Sequence, residues 1–358
     1  MRVLVTGSEG YVGSVLVPLL RHRGHEVRCL DAGYFAGCDL ADAIAPRDFI
    51  LGDVRDVQAE LFESIDVVIH LAGLSNDPLC DLDPQLTYDV NVGGTERVAR
   101  AARDAGVRHF VFASSCSIYG PGDNDTELTE SDPRQPLTAY AESKVVGEDL
   151  LDLLATDAFR CTSLRAGTVY GPSSRLRLDL VLNELTAMAV IRKSVSLNSS
   201  GTAWRPFIYV NDLCHAYAAT IETGPSAAHH RAYNVGSKGS TIQVLQAAAA
   251  ICAATGAELV ASPGAPDDAR NYRVNFDLFA AAFSDWQPRF DLHHGVDSLA
   301  RFLRASEITP DTLNSTRFRR LPHLVGQMQD GIVGPDLRTH VPVVHDSRSS
   351  IQSLRRNS

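Results

Sequence analysis

A tyrosine and a lysine stand four residues apart in the segment TAYAESKVVGE. On a helix this spacing places Tyr140 and Lys144 on one face, where the ammonium group favours the phenolate form of the tyrosine. The pattern predicts that Lys144 lowers the pKa of Tyr140, so that Tyr140 can act as a general base. Upstream, the segment FASSCSIYG carries Ser114 and Ser115 at the end of a predicted strand. A hydroxyl group there can bind the same substrate oxygen that Tyr140 deprotonates.

A glycine-rich turn lies near the first residue, in MRVLVTGSEGYVGSVLVPLL. Its glycines, Gly7, Gly10 and Gly13, follow a strand-like run and precede a helix-like stretch. Such a turn directs backbone N–H groups and the positive end of a helix at one point, which suits a pyrophosphate. We assign the tight turn to Gly7, the close approach of the phosphate to Gly10 and close helix packing to Gly13. The spacing is GxxGxxG, which differs from the better-known GxGxxG dinucleotide fingerprint.

Two aspartates follow the next strands of the chain. Asp31 closes the second strand, in VRCLDAG, about 20 residues after the glycines. A carboxylate at this position accepts hydrogen bonds from ribose hydroxyl groups and repels a 2′-phosphate, which favours NAD over NADP. Asp53, in LGDVRD, follows the third strand and is a candidate contact for the adenine amine. The cofactor predicted from these residues is therefore NAD.

The elements that must position these residues alternate between strands and helices in the first half of the chain. Strands are predicted at 2–6, 26–30, 67–71, 109–114 and 161–165, and helices at about 12–23, 84–105 and 138–155. This alternation is typical of a parallel sheet with helices on both faces. The second half is less regular, with helices predicted near 179–192, 211–223 and 242–254 and a strand near 257–261.

Composition and charge exclude several classes of function. The formal net charge of −10 leaves no basic excess for nucleic-acid phosphates, so we expect no nucleic-acid partner. The seven cysteines are scattered without metal-binding spacing, which indicates neither a disulfide framework nor a metal site and fits a cytoplasmic location. No apolar run is long enough to cross a membrane, and the strand beside Met1 leaves no room for a signal peptide.

The chain resembles the extended short-chain dehydrogenases/reductases of the NAD-dependent epimerase/dehydratase family, which act on nucleotide sugars. The resemblance covers roughly residues 1–303, and the motifs keep the order and spacing of the family. These motifs are TGSEGYVG, GDVRD, HLAGLS, NVGGT, SSCSIYG, YAESK, LRAGTVYGP, RPFIYVND, YNVGS and DDARNYRV. The resemblance implies bound NAD and a nucleotide-diphosphate sugar as substrate.

The resemblance also implies a mechanism and a set of binding residues. Ser115, Tyr140 and Lys144 would form the catalytic triad, in which Tyr140 takes the proton of the sugar 4-hydroxyl while the C4 hydride passes to NAD. The resulting 4-keto sugar is re-reduced in a 4-epimerase. The implied cofactor-binding residues are Gly7, Gly10, Tyr11, Val12, Gly13, Asp31, Asp53, Val54, Leu71, Ala72, Gly73, Tyr140 and Lys144.

The two residues after the triad serine distinguish reactions within this family. Dehydratases typically carry Asp-Glu there, whereas this chain has Cys116 and Ser117, which we assign to the substrate side of the site. Neither is a carboxylic acid, so ordinary 4,6-dehydration is disfavoured, and 4-epimerisation, 4-keto reduction and 4-oxidation stay open. A thiol of lowered pKa could move a proton at another sugar carbon, but we interpret Cys116 as a small residue beside the nicotinamide.

The remaining substrate-binding residues are assigned from the second half of the chain and one loop. Arginines are natural partners of a pyrophosphate, and by resemblance Arg205 in AWRPFIYV and Arg270 in DDARNYRV hold such positions. Asn183 in DLVLNEL matches a position that contacts the phosphates or the sugar, and Ser75 in HLAGLSNDP could face the sugar.

We expect an α/β fold with two lobes and an extension. A Rossmann-type doubly wound parallel sheet would occupy 1–170, with later segments returning to it, and a smaller α/β substrate lobe would occupy 171–305. The extension at 306–358 has weak periodicity, and its last dozen or so residues are expected to be disordered.

Other functional classes are weaker alternatives. A non-catalytic NAD-sensing protein would typically lack the tyrosine or the lysine, and a reductase of a non-nucleotide ketone usually carries a basic residue in place of Asp31. An NDP-4-keto-sugar reductase or 4-dehydrogenase remains the principal alternative to a 4-epimerase, and stoichiometric use of NADH would distinguish it. We expect a homodimer.

Overall fold

The computed structural model describes residues 1–40, 49–75, 77–122, 126–223, 230–260, 268, 270–306 and 308–339. Its strands are short, with two to seven residues each. In chain order they are β1 (Arg2–Thr6), β2 (Glu26–Asp31), β3 (Phe49–Leu51), β4 (Val67–His70), β5 (His109–Ser115), β6 (Glu127–Leu128), β7 (Arg160–Ala166), β8 (Thr168–Tyr170), β9 (Ser194–Ser196), β10 (Trp204–Tyr209), β11 (His230–Val235), β12 (Thr241–Gln243), β13 (Glu258–Val260) and β14 (Arg273–Val274).

A seven-stranded sheet forms the centre of the fold, in the order β3-β2-β1-β4-β5-β7-β11, and all of its pairings are parallel. The strand order reverses direction between β1 and β4, which creates the switch point of a Rossmann-type sheet. The predicted fold class is therefore confirmed. The return of a later segment to this sheet is seen in β11, which pairs with β7.

Helices cover both faces of this sheet and build a second region around a smaller one. They are α1 (Gly13–His22), α2 (Asp77–Leu82), α3 (Pro84–Thr87), α4 (Gly94–Asp104), α5 (Ala139–Leu154), α6 (Val181–Arg192), α7 (Val210–Glu222), α8 (Val244–Thr255), α9 (Asp277–Ala282), α10 (Leu292–Ala305), α11 (Pro310–Asn314) and α12 (Arg320–Gln329). None of those within the described ranges has the length and apolar character that a membrane span requires.

Side chains of β1 point alternately to the two faces of the sheet and so contribute to both main hydrophobic cores. Val3 and Val5 point to the face that packs on α1 and α7, whereas Leu4 points to the face covered by α4 and α5. A third core lies between α6, α8 and α10 and the three-stranded sheet β12-β10-β8. The main sheet thereby becomes a rigid support for the loops at its carboxyl edge.

Two segments differ from the sequence-based expectation. The single helix predicted at 84–105 is found as α3, a π-helical turn over Tyr88–Gly93, and α4. The turn carries Asn91, whose side chain accepts from the Leu74 N–H over 2.7 Å and so fixes the loop after β4. The extension, expected to have little regular structure, contains α11 and α12; its last dozen residues lie outside the described part.

Candidate active site

A cavity of about 1080 Å³ opens along the carboxyl edge of the central sheet. It extends from the turn after β1 and the ends of β2, β4 and β5 to residues of α6 and β10. Ligands of open α/β sheets bind in the crevice formed at such a switch point. The volume lies at the upper end of the range of about 300–1,000 Å³ that is usual for small-molecule pockets.

The turn between β1 and α1 brings bare backbone to this cavity. Gly7 has a left-handed φ of +72°, and a Cβ atom there would lie 2.7 Å from the Ala72 backbone nitrogen. A Cβ atom on Gly13 would collide with the carbonyl oxygens of Gly7 and Ser8. Glycine is therefore required at both positions, for the turn itself and for the close packing of the helix start. The arrangement leaves a cradle of the kind that holds a pyrophosphate.

The two aspartates that follow β2 and β3 also line the cavity. Asp31 accepts hydrogen bonds from the N–H groups of Glu9 (3.0 Å) and Gly33 (2.8 Å), which fix the carboxylate beside the glycine turn. Burial raises the pKa of Asp31 above its ordinary value, against the effect of these N–H groups. Asp53 accepts from the backbone and side chain of Arg55 (2.8 and 2.6 Å). Although burial acts to raise the pKa of Asp53, these bonds hold it below its usual range.

The end of β5 and the first turns of α5 bring three of the predicted residues together. Ser115 and Tyr140 both line the cavity, and the side chain of Ser115 acts to lower the pKa of Tyr140. Lys144 lies one turn further along α5, with its Nζ 5.6 Å from the ring centroid of Tyr140. Ser114 points the other way, since its hydroxyl donates to the buried carboxylate of Glu148 over 2.6 Å. The side-chain alternation of β5 thus selects Ser115 for the cavity.

The predicted lowering of the Tyr140 pKa by Lys144 is wrong for this pocket. Burial raises the pKa of Tyr140, the nearby charge of Asp77 adds to the increase, and the side chain of Ser115 only partly opposes it. Burial also lowers the pKa of Lys144 to about 8. Desolvation is the largest cause for both side chains, which the four-residue spacing alone could not reveal.

Two arginines meet one carboxylate at the opposite end of the cavity. Arg205 and Arg270 reach the same oxygen of Asp268, at 2.7 and 3.1 Å. Arg270 also contacts Asp77 over 2.7 Å. Arg205 is buried and packs on Tyr272, with its guanidinium carbon 5.5 Å from the ring centroid. Two guanidinium groups that bind one carboxylate oxygen can also bind a phosphate oxygen.

The model of the NAD dependent epimerase/dehydratase family matches residues 3–236. The chain belongs to this family. A UDP-glucose 4-epimerase of Mycolicibacterium smegmatis is 31% identical over 316 residues, which make up 85% of this chain and 99% of that protein. A dTDP-D-glucose 4,6-dehydratase of Homo sapiens is 30% identical over 247 residues, 66% of this chain and 69% of that protein.

A solved structure supports the same relationship. MoeE5 in complex with UDP-glucose and NAD superimposes with a TM-score of 0.74 at 28% identity, over 86% of this chain and 99% of that one. The protein is therefore an NAD-dependent enzyme of the epimerase/dehydratase type. Its own residues fit the cofactor, because the glycine cradle and the Asp31 carboxylate lie in one cavity.

Most residues assigned from the sequence surround the cavity of this family member. Those that line it are Gly7, Gly10, Tyr11, Val12, Gly13, Asp31, Asp53, Val54, Leu71, Ala72, Gly73, Ser75, Ser115, Ser117, Tyr140, Lys144, Arg205 and Arg270. They come from distant parts of the sequence, and the carboxyl edge of the sheet brings them together. Cys116 and Asn183 are the exceptions and need correction.

The structure corrects the assignment of Cys116 to the substrate side. Cys116 is 1% exposed, and its Sγ donates a hydrogen bond to the Arg165 carbonyl over 3.1 Å. It packs in a core with Tyr119 and Tyr272, and burial raises the pKa of its thiol. The short helical turn that starts at this residue points Cys116 inward and Ser117 towards the cavity, where the Ser117 hydroxyl donates to Ser115 over 2.9 Å.

The structure also corrects Asn183, which is completely buried. Its amide nitrogen donates to the Tyr11 hydroxyl and the Arg177 carbonyl, both over 3.1 Å. Its amide oxygen accepts from the Gly171 N–H over 3.0 Å. Two of these bonds shape the loop before α6 and the bond to Tyr11 joins it to the glycine turn, so Asn183 is a positioning residue.

The sequence analysis missed the part of the cavity wall that comes from the extension. Arg319 and Arg320 line the cavity together with Tyr34 and Phe35, which follow β2. The segment FRRLP offered a signal, since it places two arginines at the start of a helix. Its weak periodicity gave no indication that this helix would pack beside the cofactor region.

Proposed function

We propose that this protein is a nucleotide-sugar 4-epimerase in which Tyr140, Ser115 and Lys144 act on the sugar 4-hydroxyl. The observation that carries the proposal is that Tyr140, Ser115 and Lys144 lie together at the wall of a cavity that also contains the glycine cradle. NAD bound in this cavity supplies a hydride acceptor that can return the hydride to the same carbon.

The three side chains have different roles in the proton transfer. Ser115 orients the 4-oxygen, and Tyr140 takes its proton and later gives it back. The raised pKa of Tyr140 holds the transferred proton on the phenol while the sugar is a ketone, until the return of the hydride to C4 makes the 4-oxygen an alkoxide that takes the proton back. Lys144 lies on the same helix face, with its Nζ 5.6 Å from the ring centroid of Tyr140, and its ammonium group offers hydrogen-bond donors to the ligands bound beside Tyr140.

The arginine cluster supports a nucleoside diphosphate as the anchoring part of the substrate. In the described structure, the carboxylate of Asp268 lies between Arg205 and Arg270, and a phosphate of the substrate would compete for the same guanidinium groups. The names of similar proteins, a UDP-glucose 4-epimerase and MoeE5 bound to UDP-glucose, make uridine diphosphate sugars the first to test.

The surroundings of Tyr140 argue against 4,6-dehydration, which needs a free carboxylic acid and a base. Cys116 is turned into the core, and Ser117 offers only a hydroxyl group. The carboxylate whose charge acts on Tyr140 is Asp77, and it is bound by Arg270 (2.7 Å) and the Thr138 hydroxyl (2.9 Å).

The predicted homodimer and cytoplasmic location stay predictions.

The test combines cofactor analysis with product analysis in D₂O. The purified protein is denatured to identify the released nicotinamide, and native protein is then offered UDP-, dTDP-, GDP- and CDP-sugars. We expect bound NAD and a C4 epimer of unchanged mass that carries no deuterium at C4, because the hydride returns from the cofactor. Deuterium uptake at C3 or C5 would instead show proton exchange beside the ketone and would contradict the proposal.

Two further products would also overturn it. A product that differs from the substrate by two hydrogens, formed in step with NADH or NAD consumption, would identify a 4-ketoreductase or 4-dehydrogenase. A product lighter by one water would identify a dehydratase.

A further inference from the structure

Arg320, at the start of α12, is a buried guanidinium group that forms no direct ion pair with the described residues. The residue is 4% exposed and lines the cavity, with its guanidinium carbon 3.8 Å from the centroid of the Phe35 ring. Its Nη2 donates weakly to the Arg175 carbonyl over 3.5 Å, and its Nη1 has no hydrogen-bond partner. A buried charge in this condition is destabilising unless an anion binds to it.

The neighbouring arginines differ from Arg320 because carboxylates neutralise them. Arg175 pairs with Glu9 (3.1 Å) and Asp39 (3.2 Å), and Arg177 pairs with Asp179 (3.0 Å). Among the ion pairs of the described ranges, none includes Arg320. Burial and the charge of Arg177 lower the pKa of Arg320 to about 9, and the charge of Asp179 opposes this shift only in part.

The position of Arg320 relates it to the phosphate cradle. The loop that carries Arg175 is joined to the glycine turn, because Ser173 donates to the Tyr11 carbonyl (2.9 Å) and Tyr11 donates to the Gly171 carbonyl (2.7 Å). The charge of Arg320 also acts on Asp31, the residue expected at the adenosine ribose. Arg320 thus lies beside the space between the glycine turn and Asp31.

We propose that Arg320 binds the pyrophosphate of NAD, so that the C-terminal extension contributes directly to cofactor binding. The cradle after β1 offers N–H groups from one side, and the guanidinium group from α12 offers charge from another. The proposal depends on NAD binding and not on the identity of the sugar, so it can fail or succeed independently of the 4-epimerase proposal.

The rest of the extension is hydrogen-bonded to residues that follow β2 and β3. Tyr34 donates to the Leu337 carbonyl over 2.6 Å, and Arg55 donates to the Asp336 carbonyl over 2.9 Å. His323 contacts the Tyr34 carbonyl over 3.1 Å. These bonds attach the extension to the loops after β2 and β3. NAD can then dissociate only after the contact between Arg320 and the phosphates breaks. We therefore expect slow cofactor exchange.

The test compares Arg320→Met and Arg320→Lys with the matched control Arg304→Gln, which removes an exposed charge from α10. NAD dissociation constants and release rates are measured on the full chain, together with adenosine, which lacks phosphate. We expect Arg320→Met to weaken NAD at least tenfold, about 1.4 kcal/mol, and Arg320→Lys to weaken it less. Adenosine binding and the control variant should not change.

A second readout separates cofactor binding from folding. Without NAD, Arg320→Met should unfold at or above the temperature of the unsubstituted protein, because it removes an uncompensated buried charge. The rise in unfolding temperature caused by NAD should shrink. Unchanged NAD affinity, or an equal loss of adenosine binding, overturns the proposal, and so does an effect confined to NADP, which would assign Arg320 to a 2′-phosphate. If Arg320→Met does not fold, the same criteria apply to Arg320→Lys.

Discussion

Tyr140 and Ser115 line the same cavity although they belong to different elements, the first turn of α5 and the last residue of β5. They meet because β5 ends at the sheet edge over which α5 begins. Thr138 caps that helix by accepting from the Ala141 N–H over 3.2 Å, which fixes where the first turn starts. One sheet edge and one helix cap therefore place both hydroxyl groups.

Tyr140→Phe should abolish most of the turnover, because it removes the group that carries the proton. General acid–base groups typically contribute about 10²–10⁴-fold to a rate, so kcat should fall by at least about a hundredfold. The amount of NAD bound and the unfolding temperature should stay close to those of the unsubstituted protein. A variant that keeps near-normal turnover with any substrate of the unsubstituted protein would show that another group moves the proton.

Asp31→Ala should weaken NAD and relax the discrimination against NADP. The carboxylate is expected to bind the ribose hydroxyl groups, and charged hydrogen bonds of this kind contribute about 1.5–3 kcal/mol, roughly 10- to 100-fold in affinity. Titration with both cofactors measures the change in preference. The control is Asp104→Ala, at an exposed residue of α4. If the ratio of the two affinities stays the same, Asp31 does not face the ribose.

Cys116→Ala should leave kcat nearly unchanged, because the thiol is turned into a core and donates to the Arg165 carbonyl. Burial raises the pKa of the thiol, which makes it a poor proton carrier near neutral pH. The expected cost is a loss of about 1 kcal/mol in the free energy of unfolding. Steady-state kinetics and denaturant unfolding measure the two effects. A large loss of kcat with normal stability would restore Cys116 to the reaction.

His70 should make the protein lose stability in acid. Burial, together with the charge of Lys144, lowers its pKa from 6.5 to about 3, and its ring contacts Thr6 (2.7 Å) and Thr95 (3.1 Å). Between these two pH values the unfolded chain binds a proton that the folded chain does not, so stability present above pH 6.5 is lost as the pH falls towards about 3. The contribution reaches at most about 1.4 kcal/mol per pH unit.

His70→Gln should therefore flatten the dependence of the unfolding free energy on pH in this window. The comparison variant is His22→Gln, at an exposed position at the end of α1. Denaturant unfolding between pH 7 and about pH 4 gives the slopes. If the unfolding free energy of His70→Gln and that of the unsubstituted protein depended on pH with the same slope, His70 would titrate alike in the folded and unfolded states.

The sequence by itself determined the fold class and the cofactor end of the site, because these depend on local patterns. Apolar runs alternating with helices specify a parallel sheet, and Gly7 and Gly13 are needed wherever backbone meets backbone in the first turn. Parallel strands end at one edge, so Asp31 and Ser115 could be brought to the same crevice from their positions alone.

Only the tertiary structure decided which way individual side chains point and how strongly they are desolvated. Cys116 and Asn183 carry suitable chemistry at suitable positions, yet a helical turn and a packed loop direct both away from the cavity. The pKa of Tyr140 follows from burial, which no spacing reveals. Arg320 reaches the cavity only because α12 packs on loops nearly three hundred residues earlier in the chain, as the contact between His323 and Tyr34 shows. Such contacts depend on the complementary shapes of distant surfaces, and a local sequence pattern carries no record of them.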